Sequence, residues 1–213
     1  MARSLVFKNG WWKNIPASID QIDVAYQKKI EALFDQWPVF EKNIEWITEK
    51  NAGIALTFIV MGTVFYFVFS KQLNKRSWLL LPWVGICLGL SDLSSTLLKK
   101  FFGRLKPFVD HIGTGDVHHP PFSFPSNHSF NSFTLAFLLY LLIRWTPLKK
   151  APHAQSFSLS MIGWACFIGF SRLFLGEHYP LDVLFGAIFA GSFSLLYYFS
   201  SRSVLRKFSI SEG

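Results

Sequence analysis

Only two cysteines, Cys87 and Cys166, occur in the chain, and both fall inside apolar runs. They read as small apolar fillers of helices and not as a disulfide framework, so they point to no particular redox compartment. Charge is equally scarce: Asp, Glu, Lys and Arg make up 16% of the residues, against 51% hydrophobic and 18% aromatic. That is too little for the surface of an ordinary soluble domain. The chain has no internal repeat and no low-complexity stretch. Its first fifty residues lack an apolar run followed by small residues, so no secretory signal is expected there. Asp110, His111, Asp116, His118 and His119 are metal-ligand types, yet their spacing matches no metal motif, and they read as a polar loop. Neither a metal nor another cofactor is expected.

What is present is a set of long apolar runs. A bilayer core of ~30 Å takes roughly 20 apolar residues per helix. Residues 52–70 meet that with no charge, 78–98 with Asp92 alone, and 181–200 with Asp182 at the start. Residues 129–143 and 157–175 reach spanning length only if their helices continue into the polar residues that flank them. The fold expected is all-α: a polytopic membrane helical bundle of about five transmembrane helices, six at most. Asp92 is costly at membrane depth, and the expected remedy is either pairing with a basic motif residue or simple hydration near the interface. In the last run, Gly186 with Ala190 and Ala187 with Gly191 form four-residue steps that let a neighbouring helix approach closely.

Residues 1–51 differ, with seven basic and seven acidic residues up to position 50 and no long apolar run. Between 19 and 47, Ile22, Ala25, Tyr26, Ile30, Leu33, Phe34, Phe40 and Ile44 recur at helical spacing, with Trp11, Trp12, Trp37 and Trp46 around them. This pattern predicts an amphipathic helix lying on the bilayer. The expected organisation is thus an interfacial segment over 1–51, a transmembrane domain over 52–200 and a basic cytoplasmic tail over 201–213.

Orientation follows from basic residues in short loops. Lys71, Lys75 and Arg76, then Arg144, Lys149 and Lys150, then Arg202, Arg206 and Lys207 fall on one face under a five-helix count. That face is expected to be cytoplasmic, in the plasma (inner) membrane, with the other loops on the periplasmic or outer side. The net charge of +8 needs no nucleic-acid partner, because anionic lipid accounts for it.

Three polar stretches interrupt the apolar runs. The segment from Ser171 to Asp182 contains Arg172, His178 and Asp182. The step from His178 to Asp182 puts a carboxylate beside an imidazole on one helical face, and Arg172 offers a fork of donors suited to phosphate. A plainer reading is that these residues cap a helix opened by Pro180. Upstream, Pro125-Ser126-Asn127-His128 precedes an apolar run, and the segment from Lys99 through Arg104 and Lys106 to Pro107 follows one. In order and spacing the three resemble the signature of the type 2 phosphatidic acid phosphatase superfamily: K-x6-R-P, P-S-G-H and S-R-x5-H-x3-D. The third block matches at every fixed position. The second has Asn127 in place of glycine and the first has Lys106 in place of arginine.

The resemblance implies a membrane lipid phosphatase. His178 would attack phosphorus, Asp182 would hold its imidazole, and His128 would protonate the leaving group and then activate water. Lys99, Lys106, Ser126, Asn127 and Arg172 would bind the phosphate, with Arg104 as an accessory cation. Asn at 127 implies the same left-handed backbone as glycine, a region Asn visits readily. Lys106 supplies a point charge where arginine would supply a fork. The substrate implied is a phosphorylated membrane lipid: undecaprenyl diphosphate, lipid A or a glycerolipid phosphate. A second reading is a membrane protein that binds or carries such a lipid without hydrolysing it. Oligomeric state is not legible.

Overall fold

The computed structural model describes residues 10–34, 37–48, 51–71, 80–107 and 122–208. Among the described residues seven α-helices follow one another: α1 (Ala17–Phe34), α2 (Pro38–Thr48), α3 (Asn51–Phe69), α4 (Leu80–Phe102), α5 (Asn127–Trp145), α6 (Ala154–Phe174) and α7 (Pro180–Phe208). Short 3-10 turns cover Gly10–Asn14 and Pro147–Lys150, and the described residues contain no strand. The five expected apolar runs are the five long helices α3 to α7. Among the described residues, Ala154–Phe174 and Pro180–Ser200 are long and apolar enough on their own to cross a bilayer. The third run does extend into flanking polar residues, since α5 begins at Asn127, and α6 ends only after Arg172. Helix α7 continues to Phe208, past the end of the apolar span at Ser200.

Helix α5 is the central helix, packed against α4, α6 and α7. The small residues of α7 allow this closeness. A Cβ at Gly186 would stand 3.0 Å from Ser129 Cβ and 3.1 Å from the Ser126 carbonyl oxygen. Polar side chains add hydrogen bonds at membrane depth: Ser91 pairs with Thr134 at 3.0 Å, and Ser194 donates to the Thr134 carbonyl at 3.3 Å. At the end that carries Arg144, Lys149 and Lys150, Phe69, Ala136, Ile143, Leu148, Phe157 and Met161 form the buried core. At the other end Phe124 is enclosed by the rings of Trp12, Phe102 and Phe185, with centroids 4.9, 4.7 and 5.5 Å away. Cys87 is buried but Cys166 is exposed on α6, so only the first is an interior filler. Exposed residues such as Phe58, Phe67, Ile86, Leu97, Phe170 and Phe199 give the bundle an apolar outer surface, which suits lipid contact.

The N-terminal arm departs from the single helix expected over 19–47. It forms two helices, with Pro38 opening the second, because the residue before proline avoids the helical region. Its polar side is the packed one. Asp23 and Gln27 are buried, whereas Ile22, Tyr26 and Leu33 are exposed. Gln27 Nε2 donates to the Leu173 carbonyl at 2.8 Å, and the Leu181 N–H donates to Asp23 Oδ1 at 3.0 Å. Helix α1 is therefore tied to the end of α6 and the start of α7 through its polar face, with Ile22, Tyr26 and Leu33 turned outward.

If the contact between α5 and α7 depends on Gly186, Gly186→Ala should lower the thermal unfolding midpoint of detergent-solubilised protein, at a cost of about 1–3 kcal/mol. Gly62→Ala is the control, since nothing lies within 4 Å of a Cβ there. Equal midpoints in the two variants would contradict this packing.

Candidate active site

Three polar connections meet at one end of the bundle: the residues after α4, those before α5, and the loop from α6 to α7. Each is bent by a local device. Gly103 ends α4 with φ 67° and Gly176 follows α6 with φ 64°, left-handed conformations that glycine enters without a Cβ clash. Ser126, extended at φ −69° and ψ 120°, caps α5 by accepting from the Ser129 N–H at 3.4 Å. Backbone bonds then join the connections. The Ser123 N–H donates to the Arg104 carbonyl at 2.6 Å, the Ser126 N–H to the Asp182 carbonyl at 3.1 Å, and the His178 N–H to the Arg172 carbonyl at 3.3 Å.

His178 and Asp182 are both buried, and their step of four residues brings Nδ1 to 3.5 Å from Asp182 Oδ2. Between them stands Ser123, which sequence reasoning missed. Its hydroxyl donates to Asp182 Oδ2, and its oxygen lies 3.2 Å from His178 Nδ1. Because the hydroxyl proton goes to the carboxylate, the serine oxygen is left to accept, and we assign the imidazole proton to Nδ1. Nε2 then carries the lone pair. Burial is the main cause that pushes the His178 pKa down to about 4, with Lys99 and Lys106 adding to it and Asp182 opposing. The ring is therefore neutral at physiological pH.

Asp182 is fully saturated. Its Oδ2 also accepts the Tyr179 N–H at 2.9 Å, and its Oδ1 accepts Arg104 Nη1 at 2.7 Å. Arg104, an accessory phosphate cation on sequence grounds, is instead 3% exposed and surrounded by carboxylates. It reaches Asp23 at 2.7 Å and Asp20 at 3.0 Å as well as Asp182. Its guanidinium lies 4.3 Å from the Trp12 ring and 3.9 Å from the Tyr179 ring. Burial by itself would lower its pKa, but Asp182 and Asp23 more than reverse that and hold it above the ordinary arginine value.

The other candidates surround the histidine. Lys99 is buried on the last turn of α4 and donates to the Phe122 carbonyl at 3.2 Å, and Lys106 is half-buried nearby. Arg172 is fully buried. Its Nη1 donates to Glu177 Oε2 at 3.1 Å, its Nε to Ser171 Oγ at 3.1 Å, and its Nη2 to Thr48 Oγ1. Thr48, at the end of α2, is thus a second site neighbour that the sequence did not announce. His128 is exposed at the start of α5, with Arg172, Glu177, His178 and Lys99 as its electrostatic neighbours.

Asn127 corrects one expectation. It is the first residue of α5, and among the described residues only His153 is a non-glycine with positive φ. The cap at Ser126 makes the turn, so position 127 has no need of a left-handed backbone. Ser126 is itself buried, with its hydroxyl engaged as that cap. Of the two alternatives for Asp92 the structure shows the exposed one: the side chain is exposed and accepts from Asn131 Nδ2, an amide on the facing helix, at 3.0 Å. The histidine-rich stretch around His118 lies outside the described residues. Among those described, no three His, Cys, Asp or Glu side chains gather as a metal site.

A cavity of about 460 Å³ opens beside His128 and Asn127, with Thr48, Asp92, Asn131 and Met161 in its wall. Buried Oδ1 atoms of Asn127 and Asn131 have no hydrogen-bond partner, which leaves acceptors at this polar end. A second, apolar cavity of about 620 Å³ runs along α3 and α6 from Trp46 to Val68 and His153. Ile47, Thr57, Met61, Met161 and Trp164 line both, so the two are one continuous groove.

Comparison with known proteins bears on the family and the fold. The sequence family described as the PAP2 superfamily matches residues 78–204. The chain is 31% identical over 157 residues to a lipid A 1-phosphatase of Rhizobium etli, covering 67% of this chain and 61% of that one. It is 31% identical over 187 residues to the undecaprenyl-diphosphatase BcrC of Bacillus subtilis, covering 85% and 84%. The chain spans from about a half to about three-fifths of the length of several curated relatives that it matches. In fold it is similar to the crystal structure of a transmembrane PAP2-type phosphatidylglycerolphosphate phosphatase from Bacillus subtilis. The TM-score is 0.63, at 22% identity over 89% of both chains.

The assignment of His178 as a depressed, neutral imidazole is checked by NMR titration of ring-labelled protein. Its pKa should fall near 4, below the ordinary value of about 6.5. Lys99→Gln removes a positive neighbour that disfavours the imidazolium, so it should raise that pKa. An unperturbed titration, or a fall in Lys99→Gln, would contradict the assignment.

Proposed function

The chain belongs to the PAP2 superfamily, and on that premise we propose that it is an integral membrane phosphatase removing a phosphate or diphosphate head group from an envelope lipid. One observation carries this reading. His128 lines the polar end of a groove whose remaining length is apolar, and the neutral imidazole of His178, oriented by Ser123 and Asp182, is buried behind it as one of its electrostatic neighbours. The wall of α3 from Gly53 to Val68 covers sixteen residues, that is, fifteen helical rises. At ~1.5 Å per residue that is about 22 Å, most of a ~30 Å hydrocarbon core. A head group at His128 would leave room for a long hydrocarbon chain beneath it. Undecaprenyl diphosphate and lipid A, named by the relatives, and glycerolipid phosphates all have that shape.

The chemistry runs in two displacements. His178 Nε2 attacks phosphorus while the ring keeps its Nδ1 proton against Ser123 and Asp182. The bond from phosphorus to the leaving oxygen breaks, and that oxygen takes a proton from His128. Water then gives a proton to His128 and its oxygen to phosphorus, breaking the P–N bond and releasing phosphate. Lys99, Lys106, Arg172 and the Asn127 and His128 N–H groups at the start of α5 carry the oxygens' charge. Arg172 exchanges contacts with Glu177 and Thr48 for phosphate. Fixed cations in these positions take the part a metal plays elsewhere.

Purified protein assayed on the three lipid classes should release phosphate, with or without chelator, and His178→Ala should release none. His128→Ala loses a proton donor worth typically about 10²–10⁴-fold. It should still give a burst of phenol from a phosphate ester with an acidic phenol leaving group, and accumulate phosphohistidine. Lipid binding without phosphate release would favour a carrier instead, and loss of activity restored only by added metal would overturn the metal-free mechanism.

Orientation is tested separately. Lys149 lies in the basic connection at the end opposite the site, while Lys13 lies near Trp12 at the site end. With the site on the periplasmic or outer face of the plasma membrane, Lys13→Cys should be labelled from outside intact cells. Lys149→Cys should require permeabilisation, and the reverse pattern would turn the protein over.

A further inference from the structure

Arg104 Nη1 is shared between two carboxylates at the same distance of 2.7 Å, Asp182 of the site and Asp23 of the N-terminal arm. One buried cation thus faces three acids, counting Asp20 at 3.0 Å. A mere tether between arm and bundle needs only one of them. In a buried environment charges interact strongly, so the negative charge of Asp23 offsets the field that Arg104 exerts on Asp182 and on the imidazole beside it.

The rest of the arm holds this arrangement in place. Trp12 Nε1 donates to Asp20 Oδ1 at 3.2 Å, and the Trp12 ring covers the guanidinium. Asp23 Oδ1 accepts the Leu181 N–H at 3.0 Å, one residue before Asp182 in the chain. The arm therefore grips both the cation and the helix start that presents the site's carboxylate. We propose that Asp23, supported by Asp20, is a positioning residue that holds Arg104 in place against Asp182 while its own negative charge offsets the guanidinium's field, and so sets the basicity of His178. The proposal rests on the reading of His178 as nucleophile.

The groups involved can be enumerated. His178 faces Asp182 on α7, Lys99 on α4, Lys106 after it, and His128 on α5. Asp23 faces Arg104 and Asp182, and burial pushes its carboxyl up against the pull of Arg104. Removing negative charge at Asp23 lets Arg104 neutralise Asp182 more fully, which destabilises the imidazolium. Removing Arg104 does the opposite.

The test is the acid limb of kcat/KM against pH, with the NMR titration of His178 as a readout that does not need turnover. Asp23→Asn keeps an oxygen for the Leu181 N–H but loses the charge; it should move both limb and titration to lower pH, with a lower kcat and little change in KM. Arg104→Gln should move them to higher pH, each shift being about one unit. The double variant should return toward wild type. If Arg104→Gln fails to fold, Asp23→Asn decides alone. An unchanged titration in Asp23→Asn, however large its loss of activity, would reduce the arm to a structural tether and overturn the proposal. A wild type that releases no phosphate would instead overturn the phosphatase reading, while the titrations still decide the coupling.

Discussion

A single buried guanidinium organises the site. Arg104 has no water to solvate it, and an unpaired charge in such a place costs several kcal/mol. It is tolerated because Asp182, Asp23 and Asp20 surround it and because Trp12 and Tyr179 offer ring faces above and below. These partners come from α1, α7 and the segment before α1, so satisfying one charge brings together elements far apart in sequence. The carboxylate fixed in this way is the one that meets Ser123 and His178. The orientation of the imidazole thus depends, through two links, on a residue that touches neither the cavity nor the other histidine.

The N-terminal arm gains a physical role from the same constraint. A helix with a polar stripe and an apolar stripe ordinarily buries the apolar one in a soluble protein. In α1 the polar stripe is buried, as Asp20, Asp23 and Gln27 turn toward Arg104 and the Leu173 carbonyl. The outward residues Ile22, Tyr26 and Leu33 are then left for the bilayer interface, whose headgroup region accommodates aromatic and apolar side chains. One helix meets both requirements, completing the ionic cluster on one side and presenting apolar surface on the other. Helix α2 extends the arrangement, since Thr48 at its end places a hydroxyl on Arg172. The arm contributes to both of the buried arginines.

The groove joins this polar end to the membrane. Its mouth is lined by polar atoms, including two amide oxygens without partners, and its length by Met, Val, Leu and Phe. A molecule with a charged head and a long apolar chain is complementary to such a surface. Neither a free sugar phosphate nor a nucleotide would use the apolar portion. Asp92 at the rim is tolerated because Asn131 supplies a donor, so it adds polarity without a charged partner of its own.

Much of this was legible in the sequence. Apolar run length located all five long helices, and the steps from Gly186 to Ala190 and from Ala187 to Gly191 located the close contact of α7. The spacing of His178 and Asp182 suggested carboxylate beside imidazole, although the pair meets because the loop ending at Tyr179 folds His178 back over the first turn of α7 and not because both lie on one helical face. The amphipathic character of α1 was legible too, but not that its polar stripe would be the buried one, because the partners of that stripe lie far along the chain. What pattern could not show was which cation meets which acid. Arg104 stands two residues from Lys106, and nothing local distinguishes a phosphate ligand from a buried structural charge. Ser123, Thr48 and Asp23 are ordinary polar residues whose roles arise only when segments separated by 50 to 150 positions are brought together. Asn127 had the opposite history, a residue expected to need a special backbone that the cap at Ser126 made unnecessary. The sequence by itself determined the helices and the reactive groups, which follow from composition and short-range spacing. Tertiary structure decided the pairing of buried charges, because that depends on which chain segments exclude water from the same place.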